Sequence, residues 1–153
     1  MPLSFRQRFV ELVLQKRDSV VLMGGNGPDV FDCSGLGYWA LKALGSTLAD
    51  HSAQMFADET PNLVTLKGTL PLPGDFCVYG YSDTQIVHIA YWMPGGGCVS
   101  ADGATKHITE LEVAKAKPSC RVRSHPRANF RADLPYFAVH RNAFVDDLDR
   151  VCL

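Results

Sequence analysis

The chain has 153 residues, of which 46% are hydrophobic and 20% charged, and its formal net charge is −1. This is the length and mix of one soluble globular domain with a real core, spanning 1–153. The near-zero charge leaves no basic footprint for nucleic acid and no field toward a membrane surface, and apolar runs such as 19–23 are far too short for a transmembrane segment.

The N-terminus, MPLSFRQRFV, has no basic region leading into a long apolar stretch. No secretory signal is therefore read there, and synthesis in the cytoplasm is expected. Ser4 to Gln15 places Phe5, Phe9, Leu12 and Val13 at helical spacing, with Ser4 as N-cap and basic residues at the far end. A short apolar segment, 19–23, breaks into the turn Gly24-Gly25-Asn26-Gly27-Pro28. A second helix is predicted from about Ser34 to Leu44, with Leu36, Trp39, Ala40, Ala43 and Leu44 on its buried face, Gly45 after its end, and Asp32 or Ser34 as cap. His51 to Phe56 reads as a helical turn.

From Pro71 onward the pattern changes to strands. Asp75–Tyr79 and Gln85–Trp92 are two of them, Pro94–Gly97 is a hairpin turn, and Cys98–Asp102 returns from it. Thr109–Lys117 is predicted as a short helix, 119–134 as a basic irregular stretch, and Tyr136–Arg141 as a last strand. The C-terminal tail, with Asp146, Asp147 and Asp149, is expected to be exposed. Helices followed by an antiparallel meander make an α+β fold, with N-terminal helices packed on a central sheet.

Five cysteines, Cys33, Cys77, Cys98, Cys120 and Cys152, form no CxxC pair. Neither a zinc cage, a redox dithiol nor a disulfide framework is expected, and no metal is called for. Cys77, Cys98 and Cys152 read as small buried hydrophobes. Cys33 stands apart because it opens a buried helix behind a glycine-rich loop. Backbone N–H groups there favour an anion, so a thiol pKa lowered toward the thiolate is expected, and the same groups can hold an oxyanion. The nucleophile needs a base. His88 lies within the apolar strand Val87–Trp92, a rigid mount for an imidazole, whereas His51, His107, His125 and His140 have polar or loop-like neighbours and are expected at the surface.

The string Phe31-Asp32-Cys33-Ser34-Gly35-Leu36 resembles the nucleophile motif of the NlpC/P60 family, and Gly24-Gly25 resembles that family's double glycine. His51-Ser52-Ala53-Gln54, Pro73-Gly74-Asp75-Phe76, Val87-His88-Ile89-Ala90-Tyr91 and the closing strand at Phe137–Arg141 follow in the family's order. The resemblance implies a papain-like cysteine peptidase, with Cys33 as nucleophile, His88 as base and no cofactor. Counting back across the hairpin sets Ser100 opposite His88, where the family carries the third polar residue, usually a histidine. Asp102 is the alternative third residue. Asp32 reads as a helix cap, Asp75 as a turn residue, and Ser34 and Gly35 as small motif residues beside the sulfur. Val21 stands where the family often has a pocket tyrosine.

The implied substrate is an amide bond in peptidoglycan stem peptides, often after D-glutamate. The expected protein is a monomer acting on the cell wall, such as a phage-encoded lysin or tail hydrolase reaching it by release or within a virion. Three other readings stand beside this one. They are an N-acetylmuramoyl-L-alanine amidase of the Cys/His type, an inactive wall-binding or tail module, and an intracellular acyltransferase or amide hydrolase for a small substrate.

Overall fold

The computed structural model describes residues 2–66, 69–103 and 108–151, so His107 and Cys152 lie outside the described residues. Helix α1 spans Phe5–Gln15. The Ser4 side chain accepts from the Gln7 N–H, and the Gln7 side chain receives the Ser4 N–H, a reciprocal capping box that fixes where the helix begins. Two short parallel strands, β1 (Val20–Val21) and β2 (Val30–Phe31), clamp the glycine-rich loop between them. Helices α2 (Cys33–Ala43) and α3 (Ala53–Asp58, capped by Ser52) follow.

The central sheet contains β3 (Phe76–Ser82), β4 (Gln85–Trp92), β5 (Cys98–Ala101), β6 (Val122–His125) and β7 (Tyr136–His140). Their spatial order is β6-β5-β4-β3-β7, and every pairing is antiparallel. Helix α4 (Leu111–Ala116) joins β5 to β6, and α5 (Ala143–Val151) closes the chain. The fold is α+β, with the helices against the sheet. No helix among the described residues is long and apolar enough to cross a membrane.

Side chains alternate across a strand, and both faces of this sheet are covered. Phe76, Val78, Ile89, Tyr91 and Val99 pack with Phe9, Leu36 and Phe56 of the helices. Cys77, Tyr79, Ala90 and Cys98 face the other way, against Ala128 and Leu134. Two-sided burial explains why the strands read as nearly continuous apolar runs rather than alternating ones.

Three local expectations change. The stretch 119–134 contains strand β6, because Val122 and its neighbours pair with Cys98–Ala101 along the sheet edge. The acidic C-terminal tail is helix α5, held to α1: Arg6 pairs with Asp146 at 3.1 Å, and Asp149 accepts the Phe5 N–H at 3.1 Å. The buried face of α2 is rotated relative to the expected one. Gly37 and Leu41 are buried while Ala43 is exposed, because Tyr91 of the sheet presses against Gly37.

Asp75 does more than shape its turn. It is fully buried, accepts the Leu72 and Asn142 N–H groups, and pairs with Arg6 at 2.8 Å and with Arg141 at 3.3 Å. This ion cluster fastens α1, the entry to β3 and the exit of β7 together.

Candidate active site

Cys33 is the first residue of α2, and Asp32 is its N-cap. One Asp32 oxygen accepts the Gly35 N–H at 2.6 Å and the Ser34 hydroxyl at 3.3 Å, and the other accepts the Gly24 N–H at 3.0 Å. The carboxylate therefore ties the glycine loop to the helix that presents the sulfur, satisfying N–H groups that a helix start leaves unpaired. The Asp32 N–H returns a bond to the Gly25 carbonyl at 2.7 Å. That carbonyl lies so close to Gly35 that a Cβ there would stand 1.9 Å from it, which no side chain tolerates.

Cys33 and His88 line one cavity of about 170 Å³, together with Val21, Asp32, Ala101 and Arg131. A larger cleft of about 850 Å³ lies elsewhere, between the end of α1 and β6, and contains neither of them. Val21 thus sits in the wall of the cavity shared by the thiol and the imidazole, where it is almost fully buried.

The protonation of the pair differs from the expectation of a lowered thiol pKa. Burial, and secondly the neighbouring Asp32 charge, push the Cys33 thiol up to about 11. The N–H groups of Ile89, Ser34 and Cys33 itself act in the opposite sense and are outweighed. The helix start does favour the thiolate, but loss of solvent costs the anion more. His88 is buried in the middle of β4, and its pKa falls to about 4, through burial first and the Arg131 charge second, with Asp102 pulling the other way. Thiol and imidazole are therefore both neutral near pH 7.

Nε2 of His88 lies 2.7 Å from Oγ of Ser100. The register of β4 with β5, Tyr91 with Val99 and Trp92 with Cys98, continues to set Ala90 beside Ser100 and Asp102 across from His88. So Ser100 reaches the imidazole along a diagonal on the same face, not from directly opposite as the hairpin count suggests. Asp102 joins the same group without displacing it. Its Oδ1 accepts the Ser100 hydroxyl at 2.6 Å and stands 3.7 Å from His88 Nε2.

Three residues at this site had no role read from the sequence, although Tyr91 closes the motif that carries His88. His125, on β6, places its Nε2 2.6 Å from Oδ2 of Asp102. It was expected at the surface, but the edge pairing of β6 folds it inward against Phe130. Arg131 lines the cavity from the segment after β6 and is held by Asp133 at 2.8–2.9 Å. Tyr91 looks like an ordinary core aromatic and yet holds the Cys33 carbonyl at 2.6 Å. The segment that brings His125 and Arg131 in has no apolar periodicity to reveal its path.

Two other histidines are also buried rather than exposed. His51 bonds to Glu59 and the Ala49 carbonyl beside the rings of Phe56 and Phe144. His140 bonds to Thr60 through its carbonyl at 2.9 Å. Both are polar-satisfied packing residues, and neither lines the cavity of Cys33.

Residues 21–125, well over half of the chain, match the NlpC/P60 family. The chain belongs to the NlpC/P60 family. It is 30% identical over 78 residues to a protein named "Probable endopeptidase p60" of Listeria grayi, a match covering 51% of this chain and 14% of that protein. Among solved structures, NlpC1 from Trichomonas vaginalis superposes with a TM-score of 0.65 at 19% identity, over 92% of this chain and 45% of NlpC1. RipD from Mycobacterium tuberculosis, a non-catalytic NlpC/p60 domain protein adapted to peptidoglycan binding, superposes with a TM-score of 0.61 at 17% identity, over 90% of this chain and 98% of RipD. At these identities the structural likeness shows the NlpC/P60 fold. The chain spans only a small part of the Listeria relative and less than half of NlpC1.

Proposed function

We propose that this NlpC/P60 chain is a cysteine hydrolase that cleaves an amide bond in peptidoglycan stem peptides. The observation that carries the reading is the shared cavity of Cys33 and His88, with the imidazole held from behind by Ser100. Ser100 has one hydroxyl proton and gives it to Asp102, so its oxygen accepts Nε2–H of His88. A neutral imidazole carries one N–H, which leaves Nδ1 as the basic nitrogen.

With both groups neutral in the free protein, proton transfer accompanies attack. The Cys33 sulfur bonds to the amide carbon as the thiol proton passes to His88 Nδ1. The N–H of Cys33 supports the oxyanion. Collapse of the adduct breaks the C–N bond, and the leaving amine takes the proton from His88. Water then attacks the thioester, gives its proton to His88, and the released sulfur recovers it. Cleavage after D-glutamate is the finer form of this proposal. The protein reaches the wall by release or as part of a larger particle.

Digestion of defined peptidoglycan, with products identified by mass spectrometry, tests the reading. Muropeptides cut within the stem are expected. Release of intact stems from the glycan would instead make the protein an N-acetylmuramoyl-L-alanine amidase. A Cys33→Ala variant that digests as well as the parent would refute cysteine catalysis. A second reading, a wall-binding module without activity, has one observation in its favour: the thiol and imidazole both rest in their neutral forms. Sacculus binding with no products from the parent protein would select it.

A further inference from the structure

Asp102 uses both of its oxygens. Oδ1 takes the Ser100 hydroxyl at 2.6 Å, and Oδ2 lies 2.6 Å from Nε2 of His125. A carboxylate only accepts, so His125 donates Nε2–H to it. The chain of contacts therefore runs from His88 through Ser100 and Asp102 to a second imidazole.

His125 is itself held in place. Its ring stacks on Phe130 with centroids 3.8 Å apart and planes 7° apart. Phe130 meets the edge of the Tyr79 ring at 5.4 Å, and the Tyr79 hydroxyl donates to the Ala128 carbonyl at 2.5 Å. His125 is thus fixed by an aromatic clamp, and its ring N–H is aimed at Asp102.

This matters because a serine is a poor orienter by itself. Its hydroxyl can either donate to His88 Nε2 or accept from it. Donation would place the imidazole proton on Nδ1 and remove the base. Asp102 settles the choice by taking the Ser100 proton, and does so only while its carboxylate stays turned toward Ser100. The N–H of His125 on Oδ2 fixes that turn.

We infer that His125 is a positioning residue for the His88 base, acting through Asp102 and Ser100. It restores, by a two-step relay, the orienting role that a single serine cannot fill. The inference rests on the hydrolase reading only where activity is the readout.

The test uses His125→Phe, which keeps the stacked ring and removes the donor, beside His125→Gln, whose amide N–H can reach Asp102. Peptidoglycan hydrolysis, thermal unfolding and ¹⁵N NMR of the His88 ring are measured on each. His125→Phe is expected to keep the parent Tm and KM and to lose on the order of 10- to 100-fold in kcat, the cost of a misplaced catalytic group. Its His88 should shift from the Nε2–H form toward the Nδ1–H form, and His125→Gln should recover most of both changes. An unchanged kcat and an unchanged Nε2–H form in His125→Phe would overturn the inference, as would an equal loss in both variants that follows a fall in Tm. If the parent protein hydrolyses no peptidoglycan, the hydrolase reading fails, and the NMR comparison still decides the relay.

Discussion

Tyr91 inserts its hydroxyl between the backbone groups of Gly37 and Cys33. It accepts the Gly37 N–H at 2.8 Å and donates to the Cys33 carbonyl at 2.6 Å, bridging a pair that an α-helix joins directly. Gly37 is required at this spot, because a Cβ would stand 2.5 Å from the phenolic oxygen. The sheet that carries His88 thereby grips the first turn of the helix that carries Cys33. Cys33 and His88 are fixed relative to each other through one strand, since His88 and Tyr91 are both on β4.

Tyr91→Phe should therefore harm both stability and rate. It leaves buried backbone groups without their partner, at a cost of about 1–3 kcal/mol. Urea unfolding should show that loss. The rate at saturating substrate should fall as well, because α2 can then shift on the sheet.

The resting state of the pair predicts its reactivity. An ion pair of thiolate and imidazolium would alkylate quickly and evenly between pH 5 and 8. Here the thiol is pushed up to about 11 and the imidazole down to about 4. Labelling of Cys33 by iodoacetamide should be slow at pH 7 and climb steadily through pH 9 to 11. A flat, fast profile would contradict the neutral pair.

The same shift makes stability depend on pH. His88 has a folded pKa of about 4 and a usual value of 6.5. Between these values the unfolded chain binds the proton and the folded one does not. Its contribution is complete above pH 6.5 and is lost as the pH falls toward 4, by about 3 kcal/mol in all. His140, also held below its usual value by burial, adds in the same direction. A His88→Gln variant should lose less stability than the parent over this window in urea titrations.

Removing Asp102 should cost more activity than removing Ser100. Without Asp102 the Ser100 hydroxyl is free to donate to His88 Nε2, which stabilises the tautomer that blocks the base. Without Ser100 the carboxylate is still near, with Oδ1 3.7 Å from Nε2 in the intact site. Ser100→Ala is expected to lose about tenfold in kcat and Asp102→Ala about 100-fold or more. Steady-state kinetics on soluble muropeptides measures both.

Asp75 should matter for folding and not for chemistry. It is a buried carboxylate held by Arg6 and Arg141. Asp75→Ala takes the carboxylate from Arg141 and one of two from Arg6, which keeps Asp146, and should destabilise the protein by about 3–5 kcal/mol. The fraction that remains folded should keep its kcat, since this cluster lies apart from the Cys33 cavity.

Much of this protein is legible in its sequence. Ser4 and Asp32 mark helix starts because their side chains cap unpaired N–H groups. The motif glycines Gly25 and Gly35 stand where backbone packs closest, Gly25 against Phe31 of β2 and Gly35 against the Gly25 carbonyl. The ordered motifs around Cys33, Asp75 and His88 place the chain in its family. Such features are local, or repeat a pattern along the chain, so a linear reading can find them.

The tertiary structure decided the rest. Whether Cys33 rests as thiol or thiolate depends on burial against a helix-end field, and burial is a property of the packed molecule. Whether Ser100 or Asp102 touches His88 depended on strand register and a diagonal reach, and the three are joined in series by hydrogen bonds. His125 and Arg131 entered the site from a segment with no periodicity, carried there by the pairing of β6 on the sheet edge. The sequence determined the helix caps and the central strands from Asp75 to Asp102, and it singled out Cys33 and His88. The three-dimensional packing determined what surrounds that pair, because its partners lie far apart in the chain and meet only when the sheet assembles.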